Sequence, residues 1–162
     1  LRAADKVIFP GVGHAAPAMD YLRERGIADV LVSLQQPVLG ICLGLQLMCS
    51  GSEEGDTACL GIFGEEVKRF VPGNSGLKVP QTGWNSIYNL ADPLFSGIRE
   101  GEYVYYVHSY YAASGPDTVA TTEYIQPYSA ALQKNNFYAV QFHPEKSGGP
   151  GEIILHNFIQ LP

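Results

Sequence analysis

Two short stretches hold residue types able to do covalent chemistry. Gly40-Ile41-Cys42-Leu43-Gly44 sets a cysteine between two glycines. This is the thiol counterpart of the G-x-S-x-G turn, where a buried strand breaks sharply into a helix. The glycines permit the tight turn, and the turn lifts the sulfur off the sheet edge. The N–H groups and dipole of the following helix stand behind it and should lower the thiol pKa from about 8.5. Cys49 and Cys59 lack such a setting and read as small buried hydrophobes.

A nucleophilic cysteine needs a base, and the base needs a group that fixes its tautomer. His143 ends the apolar run Val140-Gln141-Phe142, and Glu145 lies two residues on. In an extended segment both side chains share a face, and Pro144 biases His143 towards extended backbone. His14, His108 and His156 have no carboxylate so placed and read as packing or surface residues.

A third stretch, Val7 to Pro17 (VIFPGVGHAAP), fits the G-x-G-x-x-A dinucleotide fingerprint by spacing. That fingerprint needs an acidic residue at the end of the next strand, about 20 residues on. Asp29 comes too early, in a helical stretch, and the strand over 38–41 runs straight into Cys42. Pro10 and Pro17 also make a poor phosphate turn.

These residues must be held by elements, and the chain divides into two textures. A short strand over 6–9 leads to a helix over 15–25, where Ala18, Tyr21, Leu22 and Arg25 keep a 3–4 rhythm ending at Gly26. A helix over 27–35, a fully apolar strand over 38–41 and a helix over 43–49 follow. From Gly61 onwards strand-like runs appear at 65–71, 84–89, 102–112, 118–125, 128–134 and 137–142. Lys134-Asn135-Asn136 is a hairpin tip, and a helix over 149–160 comes last. The first half is βα units; the second is mostly antiparallel strands.

The totals set bounds. A chain of 162 residues has the length of one domain, expected over 1–162, and its 46% apolar and 16% charged residues suit a globular protein. A net charge of −6 without a basic run argues against nucleic acid as partner. No apolar run is long enough to span a bilayer, and no secretory leader pattern occurs. Three cysteines without metal-ligand spacing imply neither a metal site nor a disulfide framework. Cys42 and Cys49, two helical turns and roughly 10 Å apart, could not bridge, so a reducing cytosol is expected. The opening Leu1-Arg2-Ala3, one step before a buried strand and without Met, reads as the middle of a gene product.

Taken together, G-I-C-L-G-L-Q, Q-F-H-P-E-K-S and P-G-V-G resemble the class I (triad) glutamine amidotransferases, over nearly the whole chain and in that family's order. The resemblance implies an α/β, three-layer, flavodoxin-like fold: a parallel central sheet with additional antiparallel strands. The family's opening strand, glycine-rich loop, helix and second strand have no counterpart here, so the fold is expected to be N-terminally truncated.

The family's triad falls on Cys42, His143 and Glu145, implying hydrolysis of L-glutamine through a γ-glutamyl thioester, without cofactor or metal. The oxyanion would take the backbone N–H of Leu43 and a donor from the Val12–Gly13 peptide. Gly11, Gln46, Glu54, Ser109 and Tyr110 would bind substrate, Glu54 through the α-ammonium, although its charge pattern beside Glu53 equally suits a solvated acid.

Pro10–Gly13, Glu145–Ser147, V-P-Q-T-G-W-N at 79–85 and V-H-S-Y-Y at 107–111 resemble one branch of the family. That branch passes ammonia to a (β/α)₈-barrel synthase in histidine biosynthesis. Trp84, Asn85 and Lys146 are the expected docking residues. Branches serving anthranilate, guanylate or pyridoxal phosphate synthesis share the chemistry and differ in acceptor. A non-catalytic remnant is the remaining alternative, against which the intact triad speaks.

Overall fold

The computed structural model describes residues 1–162. Val7–Gly11 (β1) is followed by two helices, Ala15–Glu24 (α1) and Ile27–Val32 (α2). In α1 the buried residues Ala15, Met19 and Leu22 recur every three or four positions and form the stripe that packs inward. Gly26 then adopts φ 63, a left-handed turn that glycine accepts without strain, and the chain re-enters helix at once. The helix expected over 27–35 stops at Val32, with Ser33 as its C-cap.

Val38–Cys42 (β2) pairs in parallel with β1, from Val7 opposite Val38 to Gly11 opposite Cys42. All five β2 residues are buried, as expected of a strand covered on both faces. Leu43–Met48 (α3) follows without a loop. Gly51–Ser52 (β3), Thr57–Ala58 (β4) and Glu66–Arg69 (β5) form a small sheet with Tyr110–Ala112 (β8). Gln81–Ser86 (β6) and Tyr103–His108 (β7) make a separate two-stranded ribbon.

Thr118–Tyr124 (β9), Gln126–Lys134 (β10) and Phe137–Val140 (β11) return the chain to the main sheet, whose order is β1-β2-β11-β10-β9. β11 lies parallel to β2, while β10 is antiparallel to β11 and β9. Gly148–Gln160 (α4) closes the chain. Met19, Leu22, Leu45 and Met48 fill one side of the main sheet; Tyr106, Tyr128, Phe142, Ile154 and Phe158 fill the other. The α/β three-layer arrangement therefore holds, with β1, β2 and β11 as its parallel part.

Several expected boundaries shift. The run 102–112 is two strands broken at Ser109, and they serve different sheets. The run 84–89 becomes Gln81–Ser86, because Gln81 already pairs with His108. Strands β3 and β4, two residues each, have no periodicity to read.

Candidate active site

Cys42 ends β2 and immediately precedes α3, so strand must become helix within one residue. It does so at φ 54, ψ −109, a conformation sparsely populated by any residue but glycine. The flanking glycines allow the helix to lie against the sheet. A Cβ on Gly44 would stand 1.9 Å from the carbonyl oxygen of Phe9, and one on Gly40 would stand 2.6 Å from Met48 Sδ. Gly11 serves the same packing: its Cβ would sit 3.0 Å from Leu43 Cβ and 3.2 Å from the Gly44 nitrogen. Gly11 does not line the cleft around Cys42, contrary to its expected place in the substrate pocket.

The thiol faces the main-chain oxygen of Val107 at 4.0 Å and accepts from Gln141 Nε2 at 3.8 Å. Burial pushes its pKa up to about 11, against the hydrogen bond from the Leu43 N–H that lowers it. Glu145 also raises it and Lys146 lowers it, both to a lesser extent. The expected lowering by the helix N-terminus is thus reversed. α3 has six residues, all buried, and loss of solvent outweighs its N–H groups. The thiol is protonated at neutral pH unless a base removes the proton.

A candidate base lines the same cleft. His143 Nδ1 lies 2.7 Å from Glu145 Oε1, while His143 Nε2 is buried and has no hydrogen-bond partner. A carboxylate only accepts, so Nδ1 carries the hydrogen and the free lone pair is on Nε2. Residues 144–146 form a 3₁₀ turn, Pro144–Lys146, rather than the expected extended segment. Glu145 meets the imidazole because the turn curls back, not because alternate residues share a face. Ser147 Oγ donates to the His143 oxygen at 2.6 Å and accepts from the Tyr105 N–H at 3.0 Å, tying the turn to β7. Gly151 of α4 lets the helix press against the turn, since its Cβ would fall 1.9 Å from the Pro144 oxygen.

Cys42 and His143 share a cleft of about 540 Å³, within the usual range for small-molecule sites. Val12, Gly13, Leu43, Gln46, Glu54, Ser109, Tyr110 and Lys146 also line it. Val12 is 83% exposed, and Gly13 at φ +105 has nothing near its would-be Cβ, so this loop is unpacked. Glu54 is engaged rather than free: Oε2 accepts the Ala15 N–H at 2.7 Å, and Oε1 lies 3.0 Å from His14 Nδ1. Gln46 Nε2 donates to the Tyr110 oxygen at 2.9 Å and to Gln141 Oε1 at 3.1 Å.

The expected docking residues separate. Trp84 is 54% exposed and meets Tyr105 edge-on at 5.9 Å, and Lys146 Nζ lies 5.9 Å from the same Tyr105 ring. Asn85 points away from this patch and donates to the Glu123 oxygen at 3.0 Å, which ties β6 to β9. No group of three His, Cys, Asp or Glu side chains is placed as a metal centre would require.

Sequence reasoning missed His14, Arg69 and His108 as cleft residues. His14 lies inside the quoted VIFPGVGHAAP stretch and His108 inside V-H-S-Y-Y, while Arg69 had no motif to mark it. His108 Nδ1 donates to the Tyr110 oxygen at 2.7 Å, and its Nε2 lies 3.3 Å from Tyr128 Oη. Burial lowers its pKa from 6.5 to about 4, so the folded protein keeps it neutral where the unfolded chain takes up a proton. Its contribution to stability is intact above pH 6.5 and is lost as pH falls from 6.5 towards 4, about 3 kcal/mol in all. Denaturant midpoints measured across that window should fall accordingly, and His108→Gln should lose correspondingly less.

The family described as glutamine amidotransferase class-I matches residues 2–161. A Bacteroides fragilis protein named imidazole glycerol phosphate synthase subunit HisH is 58% identical over 161 residues, 99% of this chain and 82% of its own. The Escherichia coli protein of the same name is 48% identical over 160 residues, 98% of this chain and 81% of its own. Among solved structures, a glutamine amidotransferase from Thermotoga maritima aligns at TM-score 0.66 over 98% of this chain and 64% of that one. At 18% identity that is a likeness of fold. No helix here is long and apolar enough to cross a membrane.

Proposed function

The chain belongs to the class-I glutamine amidotransferases, and from that membership we propose that it is the glutamine-hydrolysing subunit of an imidazole glycerol phosphate synthase, acting in the cytoplasm in histidine biosynthesis. The observation that carries the chemical part is His143: its Nδ1 is held by Glu145, its Nε2 is left without a hydrogen-bond partner, and the residue lines the same cleft as Cys42. The identity of the acceptor rests on the 58% and 48% identical relatives.

In this reading glutamine lies in the cleft with its side-chain amide over Cys42. His143 Nε2 takes the thiol proton as sulfur bonds to the amide carbon, and the carbonyl electrons move to oxygen. The Leu43 N–H and a donor from the Val12–Gly13 peptide stabilise that oxygen. As the C–N bond breaks, the imidazolium returns the proton and ammonia leaves. The γ-glutamyl thioester remains, and His143 activates a water that releases glutamate. Glu145 orients the imidazole and supports its charged form. Gln46, Ser109 and Tyr110 form the wall that receives substrate, and the α-ammonium replaces His14 at Glu54 Oε1.

Ammonia released into water would be protonated and lost, so a synthase of (β/α)₈-barrel form takes it up directly. Trp84, Tyr105 and Lys146 make the exposed patch suited to that partner. The test is the rate of glutamate formation by the full chain, alone and with the barrel synthase. Stimulation of about 10²–10³-fold is expected if the partner completes one oxyanion donor in the unpacked loop. Stimulation only by a synthase of another pathway would overturn the assignment.

A further inference from the structure

Gln141 belongs to the quoted Q-F-H-P-E-K-S stretch with no role assigned to it, yet it is wholly buried and its side chain reaches the Cys42 sulfur. We infer that Gln141 belongs to the catalytic machinery: its side-chain amide donates to the Cys42 sulfur, fixing its position and stabilising the thiolate. This rests on the reading of Cys42 as the nucleophile.

The argument is one of orientation. Gln141 Nε2 lies 3.8 Å from Cys42 Sγ, and its Oε1 accepts from Gln46 Nε2 at 3.1 Å. Gln46 Nε2 spends its other hydrogen on the Tyr110 oxygen at 2.9 Å, and the same oxygen accepts from His108 Nδ1 at 2.7 Å. Rotating the Gln141 amide by 180° would set its NH₂ against that of Gln46, donor against donor, and aim a carbonyl at the sulfur. The chain of partners therefore admits one orientation, with N–H towards Cys42. The Gln141 main chain is pinned as well, its N–H donating to the Ala130 oxygen at 2.8 Å.

The titratable and charged groups around the thiol are His143, Glu145 and Lys146 after β11, His108 on β7, and Glu54 and Arg69 across the cleft. Glu145 and Lys146 act from a distance and oppose one another. Gln141 is neutral and stays in place at every pH. Its bond strengthens when sulfur becomes an anion, because charge-assisted hydrogen bonds are roughly twice as strong as neutral ones. The same side chain also holds Gln46, so nucleophile and substrate wall share one support.

The test is the rate of Cys42 alkylation by iodoacetamide against pH, with the labelled residue located by mass spectrometry, in the unaltered chain, Gln141→Leu and Gln141→Glu. Below the thiol midpoint Gln141→Leu should react about tenfold more slowly at any given pH, the lower end of a hydrogen bond to a charged group. Gln141→Glu keeps the shape and the acceptor for Gln46, and should react more slowly still. A purely structural role would leave the pH profile where it is. Profiles superposing on that of the unaltered chain would overturn the inference, and Gln141→Glu alone decides if the leucine variant does not fold. Labelling of Cys49 or Cys59 with Cys42 spared in the unaltered chain would instead refute Cys42 as nucleophile.

Discussion

Replacing His143 by asparagine is expected to slow glutamine hydrolysis by about 10⁴-fold or more with little loss of fold. The magnitude follows from the thiol. With a pKa raised to about 11, only a fraction on the order of 10⁻⁴ of Cys42 is ionised at pH 7 without a base. A variant lacking Nε2 must react through that fraction, and it also loses the acid that protonates departing ammonia. Asparagine can still offer an N–H to Glu145. The main-chain bonds of His143 to Tyr105 and Ser147 do not involve the side chain. Initial rates with the synthase present, together with covalent labelling of Cys42 by a diazo-norleucine, measure the effect. Labelling at the unaltered rate would remove His143 from the role of base.

The second large effect is structural. Gly44→Ala should destabilise the protein by about 3 kcal/mol or more, lowering the thermal midpoint by roughly 6–12 °C for a domain of this size. Helix propensity alone argues the reverse, since alanine is about 1 kcal/mol better than glycine within a helix. Sterics win because the added carbon would stand 1.9 Å from the Phe9 oxygen. That oxygen belongs to the main chain of β1, and Phe9 sits opposite Gly40 in the pairing with β2. No side-chain rotation can relieve the clash, so α3 must lift from the sheet and carry the Cys42 turn with it. Calorimetry checks the stability, and glutaminase activity should fall in parallel. An alanine variant as stable as the parent would mean that helix and strand do not approach so closely.

The candidate nucleophile was legible because a cysteine between two glycines follows a fully apolar run, and such a run needs no periodicity to be read as a covered strand. The pairing of His143 with Glu145 was legible from spacing, but its geometry was not. The 3₁₀ turn is held by Ser147 and by the close passage of Gly151, contacts that local pattern does not encode. The direction of the Cys42 shift was misjudged for a related reason. Sequence shows a helix start, whereas burial depends on everything packed around it. Glu54 pairs with His14 across 40 positions and Gln46 with Gln141 across 95, distances at which one sequence carries no signal. Asn85 was misplaced although the expected strand over 84–89 already set it and Trp84 on opposite faces, as its bond to the Glu123 oxygen shows.

The order β1-β2-β11 has a consequence for biosynthesis on the ribosome. β2 is made early, but its second neighbour is made almost a hundred residues later, Val140 pairing with Ile41. Until β11 emerges, Cys42 stands on a strand with an unfilled side and has no base, since His143 follows that same strand. Unfinished or prematurely released chains are therefore inert towards glutamine. Slow, non-local strand closure is ordinarily a liability during folding; here it also delays the meeting of Cys42 with His143 until β11 has been made.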